Sequence, residues 1–395
     1  MSLLDSLKNE EVWEQFRQYK LSRDNMTKRE KEFLQSYITN KKYLPLAQTL
    51  SFSLPAKRLI NKGSSGKKRV IYTFPENEVW VLKLMTWLMY KYDGLLCKSC
   101  YSFRRQRTAH DAIRELRRTS GIDSAWVLKL DIHDYFNSMP SQLLVRELAD
   151  FITDDEKLLS FLTQLFSLDK AMWKNSEVCE NRGAMAGTPL SAFCANIYLT
   201  DLDRRFELLG VPYFRYSDDI LVLAQTRQQA IEYYELIKEH VKAKGLELNE
   251  EKFSLSAPGE PWDFLGFGYR SGETDLSQAA VRKMKAKIKR KAAMLYRRKC
   301  RKGLSSDECA AELIRIFNKK FYATQEGSEL TWCRWYFPVL TTDRSLRELD
   351  AYLVQNVRFI YTGRYYKGNY RITYGHIKQL GLRSLVNEFH KYKTQ

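Results

Sequence analysis

The pattern of apolar and polar positions predicts a chain of mixed helices and strands. Apolar residues recur at helical spacing over residues 10–48, and residues 57–74 hold two β-branched, basic runs around a Gly-Ser-Ser-Gly turn, which predicts a β-hairpin. Further helices are predicted at 79–96, 110–120, 143–167 and 228–244, and strands at 125–132, 211–224, 246–255 and 262–269.

Two further segments complete the predicted architecture. Thr188 and Pro189 open an apolar run that closes at Gly210, which predicts one long helix packed on a sheet. Beyond Asp275 the chain becomes helical and basic, and 12 of the 21 residues in 282–302 are Lys or Arg. We therefore expect an α+β fold with an N-terminal helical extension (1–50), a mixed region (51–270) and a helical C-terminal region (271–395).

Composition narrows the class of partner. The 395 residues carry 65 Lys and Arg against 47 Asp and Glu, a net charge of +18, and 44% of them are hydrophobic. This balance indicates a globular protein that binds a polyanion, with nucleic acid first. The acidic N-terminal residues do not resemble a secretion signal, and the most apolar stretch, 79–90, is interrupted by Lys83 and too short for a membrane span. We expect a cytoplasmic protein with reduced cysteines and no contact with a membrane.

Three carboxylates are the candidate catalytic groups. Asp131 ends a predicted apolar strand, and Asp218 and Asp219 share a turn between two others. An Asp-Asp turn alone is common turn chemistry, but like charges on neighbouring strand ends repel unless a cation lies among them. Such carboxylates can hold two Mg²⁺ ions about 3.5–4 Å apart, the geometry of phosphoryl transfer.

Seven motifs in order over residues 44–269 resemble prokaryotic reverse transcriptases of the group II intron, retron and defence-associated branches. They read KGSSGKKRVIYTFPENEVW, CYSFRRQRTAHDAI, LKLDIHDYFNSM, RGAMAGTPLSAFCANIYL, YSDD, GLELNEEKF and DFLGF. The resemblance implies a right-hand polymerase with fingers, an RRM-like palm (an antiparallel sheet backed by helices) and a helical, basic thumb. Several motifs in the right order are far more specific than any one of them.

The resemblance also implies roles for individual residues. Asp219 would be a weaker metal ligand than Asp131 and Asp218, or an electrostatic support, and Lys252 would protonate the departing pyrophosphate. The implied metal positions are Asp131, Ile132, Asp218 and Asp219, and the ions are two Mg²⁺, with Mn²⁺ as a substitute. The implied nucleotide-binding residues are Lys62, Arg69, Ile132, Asp134, Tyr135, Phe136 and Gly187. The implied nucleic-acid contacts are Tyr216, Ser217, Leu265, Gly266, Lys285, Lys289 and Arg290.

The implied nucleotide site has positions for selection of the nucleotide and for binding of its phosphates. Phe136 matches the ring that lies under the sugar and leaves no room for a 2′-hydroxyl, although an ordinary core phenylalanine would look the same in sequence. Lys62 and Arg69 would face each other across the hairpin and hold phosphates, with a solvated basic hairpin as the plain alternative. Substitutes for that role are Lys67, Lys68, Arg104 and Arg107. Ala186 stands where the family commonly has a glutamine, which predicts altered nucleotide selection.

The expected function is RNA-directed DNA synthesis on an RNA template with dNTPs. A defence-associated enzyme that copies its own non-coding RNA is the first expectation, followed by retron, diversity-generating or intron-derived enzymes. The primer is left open between a DNA or RNA end and a protein hydroxyl, and an oligomer is allowed. A non-catalytic, maturase-like RNA-binding protein and an RNA-dependent RNA polymerase are the alternatives. The tyrosine-rich segment YTGRYYKGNY is left open between base stacking and core filling.

Overall fold

The computed structural model describes residues 2–23, 26–61, 68–323 and 331–395. The chain divides into two compact units, of which unit 1 ends at Pro258 and unit 2 begins at Gly259. The predicted three-part division, with boundaries after residues 50 and 270, stays a prediction. None of the described helices combines the length and the apolar character that a membrane crossing requires.

Unit 1 begins with helices and a small mixed sheet. Strands β1 and β2 pair antiparallel as the predicted hairpin, whose turn lies outside the described residues. A second hairpin, formed by β4 (Lys170–Trp173) and β5 (Ser176–Cys179), joins β1 in the same sheet, whose strand order is β2-β1-β4-β5. The elements are α1 (Glu10–Ser22), α2 (Lys28–Thr39), α3 (Leu44–Thr49), β1 (Ala56–Asn61), β2 (Lys68–Thr73), α4 (Glu76–Met89) and α5 (Ala109–Arg118).

A four-stranded antiparallel sheet in the order β6-β7-β3-β8 forms the rest of unit 1 with its helices. Helix α11 packs against β3 and β7, and α10 against β6. The elements are β3 (Trp126–Asp131), α6 (Tyr135–Ser138), α7 (Ser141–Phe151), α8 (Glu156–Ser167), β4 (Lys170–Trp173), β5 (Ser176–Cys179), α9 (Ser191–Tyr198), α10 (Thr200–Leu208), β6 (Tyr213–Tyr216), β7 (Asp219–Ala224), α11 (Arg227–Ala243) and β8 (Ser254–Ser256).

The predicted long helix from Thr188 to Gly210 is wrong in its continuity. The structure has two helices, α9 and α10, with Leu199 between them at φ −116°. The carbonyl of Asn196 accepts hydrogen bonds from the Thr200 hydroxyl at 3.1 Å and from the Arg215 guanidinium at 3.0 Å. Side-chain donors inserted into the i→i−4 ladder are a recognised cause of helix breaks.

Two strand predictions also differ from the structure. The predicted strand over 246–255 is interrupted in the structure. Leu248 forms an isolated bridge with Ile132, a turn of 3₁₀-helix follows at Glu250–Lys252, and pairing with β3 resumes at β8. The β4–β5 hairpin has no counterpart among the predicted elements. Its register places Lys170 opposite Cys179. Both strands have only four residues and β5 is mostly exposed, so their hydrophobic pattern is weak.

Unit 2 is a three-stranded antiparallel sheet followed by helices. The order is β11-β10-β9, and helices α12 and α13 both pack on α15. Val281, Met284, Ile288, Ala292 and Leu295 form the buried stripe of α12 at helical spacing. The elements are β9 (Trp262–Phe264), β10 (Phe267–Arg270), β11 (Glu273–Leu276), α12 (Gln278–Lys302), α13 (Ser306–Tyr322), α14 (Trp332–Tyr336), α15 (Arg344–Thr362), α16 (Tyr374–Gln379) and α17 (Leu385–Thr394).

Candidate active site

The sheet of unit 1 brings the three predicted carboxylates together at one end. Strand β3 ends at Asp131, β7 begins at Asp219, and the antiparallel register pairs these two residues directly. Asp218 precedes β7 in the turn, where its carbonyl accepts the N–H of Ile132 at 3.1 Å. The adjacent aspartates of the turn therefore lie beside the strand-end aspartate, as the sequence predicts.

Burial and mutual repulsion make this carboxylate cluster electrostatically costly. Asp131 is only 3% exposed. Burial, and then the charge of Asp131, raise the pKa of Asp218. Burial, and then the charges of Asp218 and Asp131, raise the pKa of Asp219 to about 7. A group of carboxylates that is hard to ionise because of its neighbours is stabilised when a cation binds among them.

Two residues from the segment after α11 hold the Asp131 carboxylate. Lys252 Nζ forms an ion pair with it, and Asn249 Nδ2 donates a hydrogen bond to its Oδ1 at 3.1 Å. The Asn249 backbone N–H also donates to the Asp131 carbonyl at 2.7 Å. The side chain of Lys252 remains 47% exposed, so the ammonium group reaches the cluster from solvent. The structure thus brings the predicted Lys252 to the carboxylates.

The donor set fits a hard divalent cation. Its ligand atoms are carboxylate oxygens, which magnesium and manganese prefer to nitrogen or sulfur. Within the described ranges, no three or more His, Cys, Asp or Glu side chains form a group that could hold a metal ion. Mg²⁺ usually binds through one or two carboxylates together with water and substrate phosphates.

The turn before β7 has an unusual backbone conformation, which buried side chains stabilise by hydrogen bonds. Ser217 has φ +62°, in the left-handed region that few non-glycine residues occupy. Its N–H donates to the hydroxyl of Ser102 at 2.9 Å, and that hydroxyl donates to Asn196 Oδ1 at 2.8 Å. Asn196 Nδ2 returns a hydrogen bond to the Ser102 carbonyl at 2.7 Å. Every partner in this chain of hydrogen bonds is buried.

A buried ion pair completes the support of the turn. The guanidinium of Arg215 donates to both carboxylate oxygens of Asp203, with Nε–Oδ1 at 2.7 Å and Nη2–Oδ2 at 2.5 Å, and both side chains are fully buried. Arg215 Nη1 also lies 3.4 Å from the Ser217 carbonyl. Burial alone would lower the pKa of Arg215, but the charge of Asp203 raises it well above the usual value, so the guanidinium carries its charge. We call Ser102, Asn196, Asp203 and Arg215 the turn support.

A loop beneath β2 carries the predicted Gly187. Asn137 connects the two, because its Oδ1 accepts the Ala186 N–H at 3.1 Å and its Nδ2 donates to the Val70 carbonyl at 3.2 Å. The Ala186 carbonyl accepts the Tyr72 N–H at 2.8 Å. Gly187 has φ +97°, and a Cβ there would lie 3.1 Å from Ile71 Cβ, so the close approach of β2 requires glycine.

Aromatic rings flank the carboxylate cluster in two different ways. Phe136 is partly exposed and lies edge-on to Phe103 with ring centroids 6.2 Å apart, and Phe103 in turn lies 6.3 Å from Tyr216. Tyr135 points inward, where its hydroxyl donates to the Ala195 carbonyl at 2.6 Å. Any contact of Tyr135 with a nucleotide is therefore limited to its backbone. Asp134, which lies between Ile132 and Tyr135 in the sequence, is exposed and has φ +40°.

The predicted basic residues of the fingers separate into available and occupied groups. Arg69 is exposed and lies opposite Ile60 in the hairpin, while Lys62 and Lys67 lie outside the described residues. The prediction that Arg104 could substitute as a phosphate ligand is wrong. Its side chain is only 8% exposed, and its guanidinium donates to Asp93 Oδ1 at 3.0 Å and to backbone carbonyls. Arg107 is paired with Glu115 at 2.8 Å.

Unit 2 contains the remaining predicted contacts. Leu265 and Gly266 form the two-residue turn between β9 and β10, with φ +53° and +86°, as a type I′ hairpin requires. Lys285 is ion-paired with Glu348 on α15 rather than free on the outer face of α12. Lys289 and Arg290 are exposed on that outer face.

Sequence reasoning missed the residues that hold the site from behind. The turn support, Asn137 and Asn249 are ordinary polar residues in sequence. Only the fold shows that the turn support is buried behind the aspartate turn, that Asn249 binds Asp131, and that Asn137 joins the Gly187 loop to β2. The one available signal was the run SFRR, in which a serine inside a resembling motif had no assigned role.

An antiparallel sheet with paired strand-end carboxylates and a glycine loop beneath a basic hairpin defines a nucleotide-polymerising palm. Residues 60–269 match the reverse transcriptase (RNA-dependent DNA polymerase) family, which is more than half of the chain. The chain belongs to this family. The prediction of an RNA-directed DNA polymerase with a mixed α+β fold is thereby confirmed; family membership also implies an RNA template and divalent metal ions.

Individual relatives are distant. The retron Ec86 reverse transcriptase of Escherichia coli is 22% identical over 247 residues, which cover 62% of this chain and 71% of that protein. Telomerase from Candida albicans, solved with a fragment of telomeric RNA, has a TM-score of 0.44 and 13% identity, and telomerase from Candida tropicalis, also with such a fragment, has 0.48 and 11%. These alignments cover 87% and 84% of this chain but only 64% of each telomerase chain.

Proposed function

We propose that this reverse transcriptase copies a dedicated non-coding RNA into DNA with Mg²⁺ as its cofactor, and that it serves antiphage defence. The observation that carries the catalytic part is the pairing of Asp131 with Asp219 beside Asp218. Similarity to a retron reverse transcriptase supports reverse transcription. The resemblance of the seven motifs to the defence-associated branch supports the dedicated RNA and the defence role. A retron-type role is the close alternative within the same chemistry.

The proposed reaction is attack of a primer 3′-hydroxyl on the α-phosphate of a dNTP, with pyrophosphate leaving. Asp131, Asp218 and Asp219 would hold two Mg²⁺ ions, which neutralise phosphate charge and lower the pKa of the hydroxyl. Arg69 on the exposed hairpin would grip the outer phosphates. Lys252, whose ammonium group reaches the cluster, would give a proton to the pyrophosphate.

Selection of a deoxynucleotide is assigned to Phe136. Its ring is partly exposed five residues after Asp131, and it has edge-on contacts with Phe103 and Tyr135. A ring that cannot move aside excludes a 2′-hydroxyl by contact. Ala186 supplies no side-chain amide to the nucleotide, so selection depends more on this steric contact than on hydrogen bonds.

The test is primer extension on an RNA template with Mg²⁺, comparing dNTPs with rNTPs. We expect DNA product from the wild-type protein, little product from rNTPs, and none from Asp218→Asn. The matched control is Asp150→Asn, a carboxylate on α7 outside the cluster, which should extend normally. If RNA that copurifies with the protein also fails to template synthesis, a non-catalytic RNA-binding protein is the better assignment.

A further inference from the structure

A segment of unit 2 without acidic residues lies outside the proposed catalytic function. Residues 351–387 contain no Asp or Glu, although the average composition of the chain would place about four there. The same 37 residues carry six Lys or Arg and six Tyr. Polyanions are attracted to such a surface, and tyrosine rings offer flat faces to bases.

Four tyrosines of this segment are largely exposed. Tyr365, Tyr366, Tyr370 and Tyr374 are 53%, 52%, 63% and 44% exposed. This answers the alternative that the sequence left open, because these tyrosines do not fill a core. From Arg364 to Tyr374 only Asn369 is buried and only Ile372 is intermediate. We call residues 364–374 the tyrosine surface.

Buried polar contacts fix the tyrosine surface in one conformation. Asn369 Nδ2 donates to the Arg364 carbonyl at 2.6 Å, and Asn369 Oδ1 accepts from the Thr362 hydroxyl at 2.8 Å. Arg358 Nε on α15 donates to the Ile372 carbonyl at 3.0 Å. A loop that is already ordered loses little conformational entropy when a ligand binds.

Two of the rings are also braced individually. Tyr365 stacks on Phe359 with ring centroids 4.8 Å apart, and its hydroxyl donates to Asn356 Oδ1 at 2.9 Å. The guanidinium of Arg358 lies 4.7 Å from the centre of the Tyr370 ring. Two acidic residues lie near this region: Asp307 contacts Tyr361 and His376, and Asp350 acts on Tyr374 through its charge and accepts a hydrogen bond from Ser384.

We propose that the tyrosine surface is a binding site for single-stranded nucleic acid, in which bases stack on Tyr366, Tyr370 and Tyr374 while Arg364, Lys367 and Arg371 contact phosphates. Unpaired bases fit because a duplex hides the base faces that the rings would cover. Residues 351–387 contribute six basic side chains and no acidic one, which favours phosphate binding at this surface. This site goes beyond the proposed function, since it uses no residue assigned to polymerisation.

The first test maps the contact directly in the full-length protein. A 12-nucleotide oligouridine RNA with one 5-iodouridine, and the matching DNA with 5-iododeoxyuridine, are photo-crosslinked and the attached peptides are identified by mass spectrometry. Crosslinks to tyrosines of residues 364–374 support the proposal, and the stronger of the two oligonucleotides identifies the preferred strand. Crosslinks confined to other parts of the chain overturn it.

The second test separates stacking from charge. The triple variant Tyr366→Ala, Tyr370→Ala, Tyr374→Ala should weaken binding of the labelled oligouridine at least tenfold, with an unchanged dependence of log K on log salt. The corresponding triple Phe variant keeps the rings and should bind as the wild-type protein does. Replacing Arg364, Lys367 and Arg371 by Gln should reduce the salt slope by about 2, at about 0.7 per phosphate contact.

Controls make a negative result decisive. Tyr392→Ala removes a tyrosine of unit 2 that is 42% exposed but outside the tyrosine surface, and it should bind normally. Thermal melting should be alike for all variants, because the substituted side chains are exposed. Wild-type affinity in the triple Ala variant, or equal binding of a 12-base-pair RNA duplex, would overturn the proposal. Primer extension on a generic template reports separately on the palm.

Discussion

Removing one partner of the buried Arg215–Asp203 pair should lower the unfolding free energy of unit 1 far more than breaking a surface ion pair does. Asp203→Asn keeps the shape and one acceptor oxygen but leaves the Arg215 guanidinium fully buried without its counter-charge. Breaking such a pair costs about 3–5 kcal/mol of unfolding free energy. Tyr213, whose hydroxyl donates to Asp203 Oδ1 at 3.0 Å, adds a second disturbed hydrogen bond.

The assay is denaturant unfolding of Asp203→Asn, Arg215→Met and the double variant. We expect each single variant to lose about 3–5 kcal/mol and the double variant to lose clearly less than their sum, because the second substitution removes the uncompensated charge. The matched control is the exposed pair Lys170–Glu177 of the same unit, 3.4 Å apart, where Glu177→Gln should cost less than about 1 kcal/mol.

Polymerase activity should not recover in the double variant even where stability does. Even where the double variant regains stability, it lacks the donors that Arg215 gives to the Asn196 and Ser217 carbonyls. Primer extension should therefore stay at least tenfold below wild type. Losses that add within about 0.5 kcal/mol, or a stable double variant with full activity, would refute the reasoning.

Four further outcomes follow from the site. Asp131→Asn should lower primer extension at least a thousandfold, while RNA binding in a filter assay stays within a few-fold of wild type; activity retained at high Mg²⁺ would contradict the ligand role. Phe136→Ala should raise rNTP incorporation relative to dNTPs in single-nucleotide kinetics, and an unchanged ratio would exclude Phe136 as the steric filter. Ala186→Gln should alter the KM for dNTPs or the error spectrum, and if neither changes, the missing amide has no role in selection. Gly187→Ala should cost about 1–3 kcal/mol of stability, because its φ is +97° and its Cβ would lie 3.1 Å from Ile71, whereas Gly210→Ala, with no atom within 4 Å, reports the cost of positive φ alone.

The palm was predictable because its chemistry coincides with its hydrophobic pattern. Strand β3 is an apolar run that ends in Asp131, and β6–β7 is a pair of apolar runs around the aspartates, so strand ends and carboxylates could be read together. Family resemblance then supplied the order of motifs. The β1–β2 hairpin was likewise marked by β-branched residues on both sides of a glycine turn.

The predictions failed where tertiary contacts override local pattern. Capping residues predicted a continuous helix from Thr188, but Arg215, distant in sequence, takes the Asn196 carbonyl. Arg104 looked like a phosphate ligand because charge alone was visible, whereas the fold buries it against Asp93. Local sequence cannot show which polar groups are brought together from distant segments.

The turn support has a role that stability alone does not explain. Ser217 has a left-handed backbone conformation, which costs of order 1–3 kcal/mol. The turn in this conformation brings Asp218 and Asp219 beside Asp131. A buried ion pair contributes little net stability compared with well-packed apolar residues. Apolar residues, however, would offer no donor to the Ser217 carbonyl and would leave the strained turn free to relax. We therefore expect the buried Arg215–Asp203 pair to hold the turn in the conformation that places the aspartates, although apolar packing would stabilise unit 1 more.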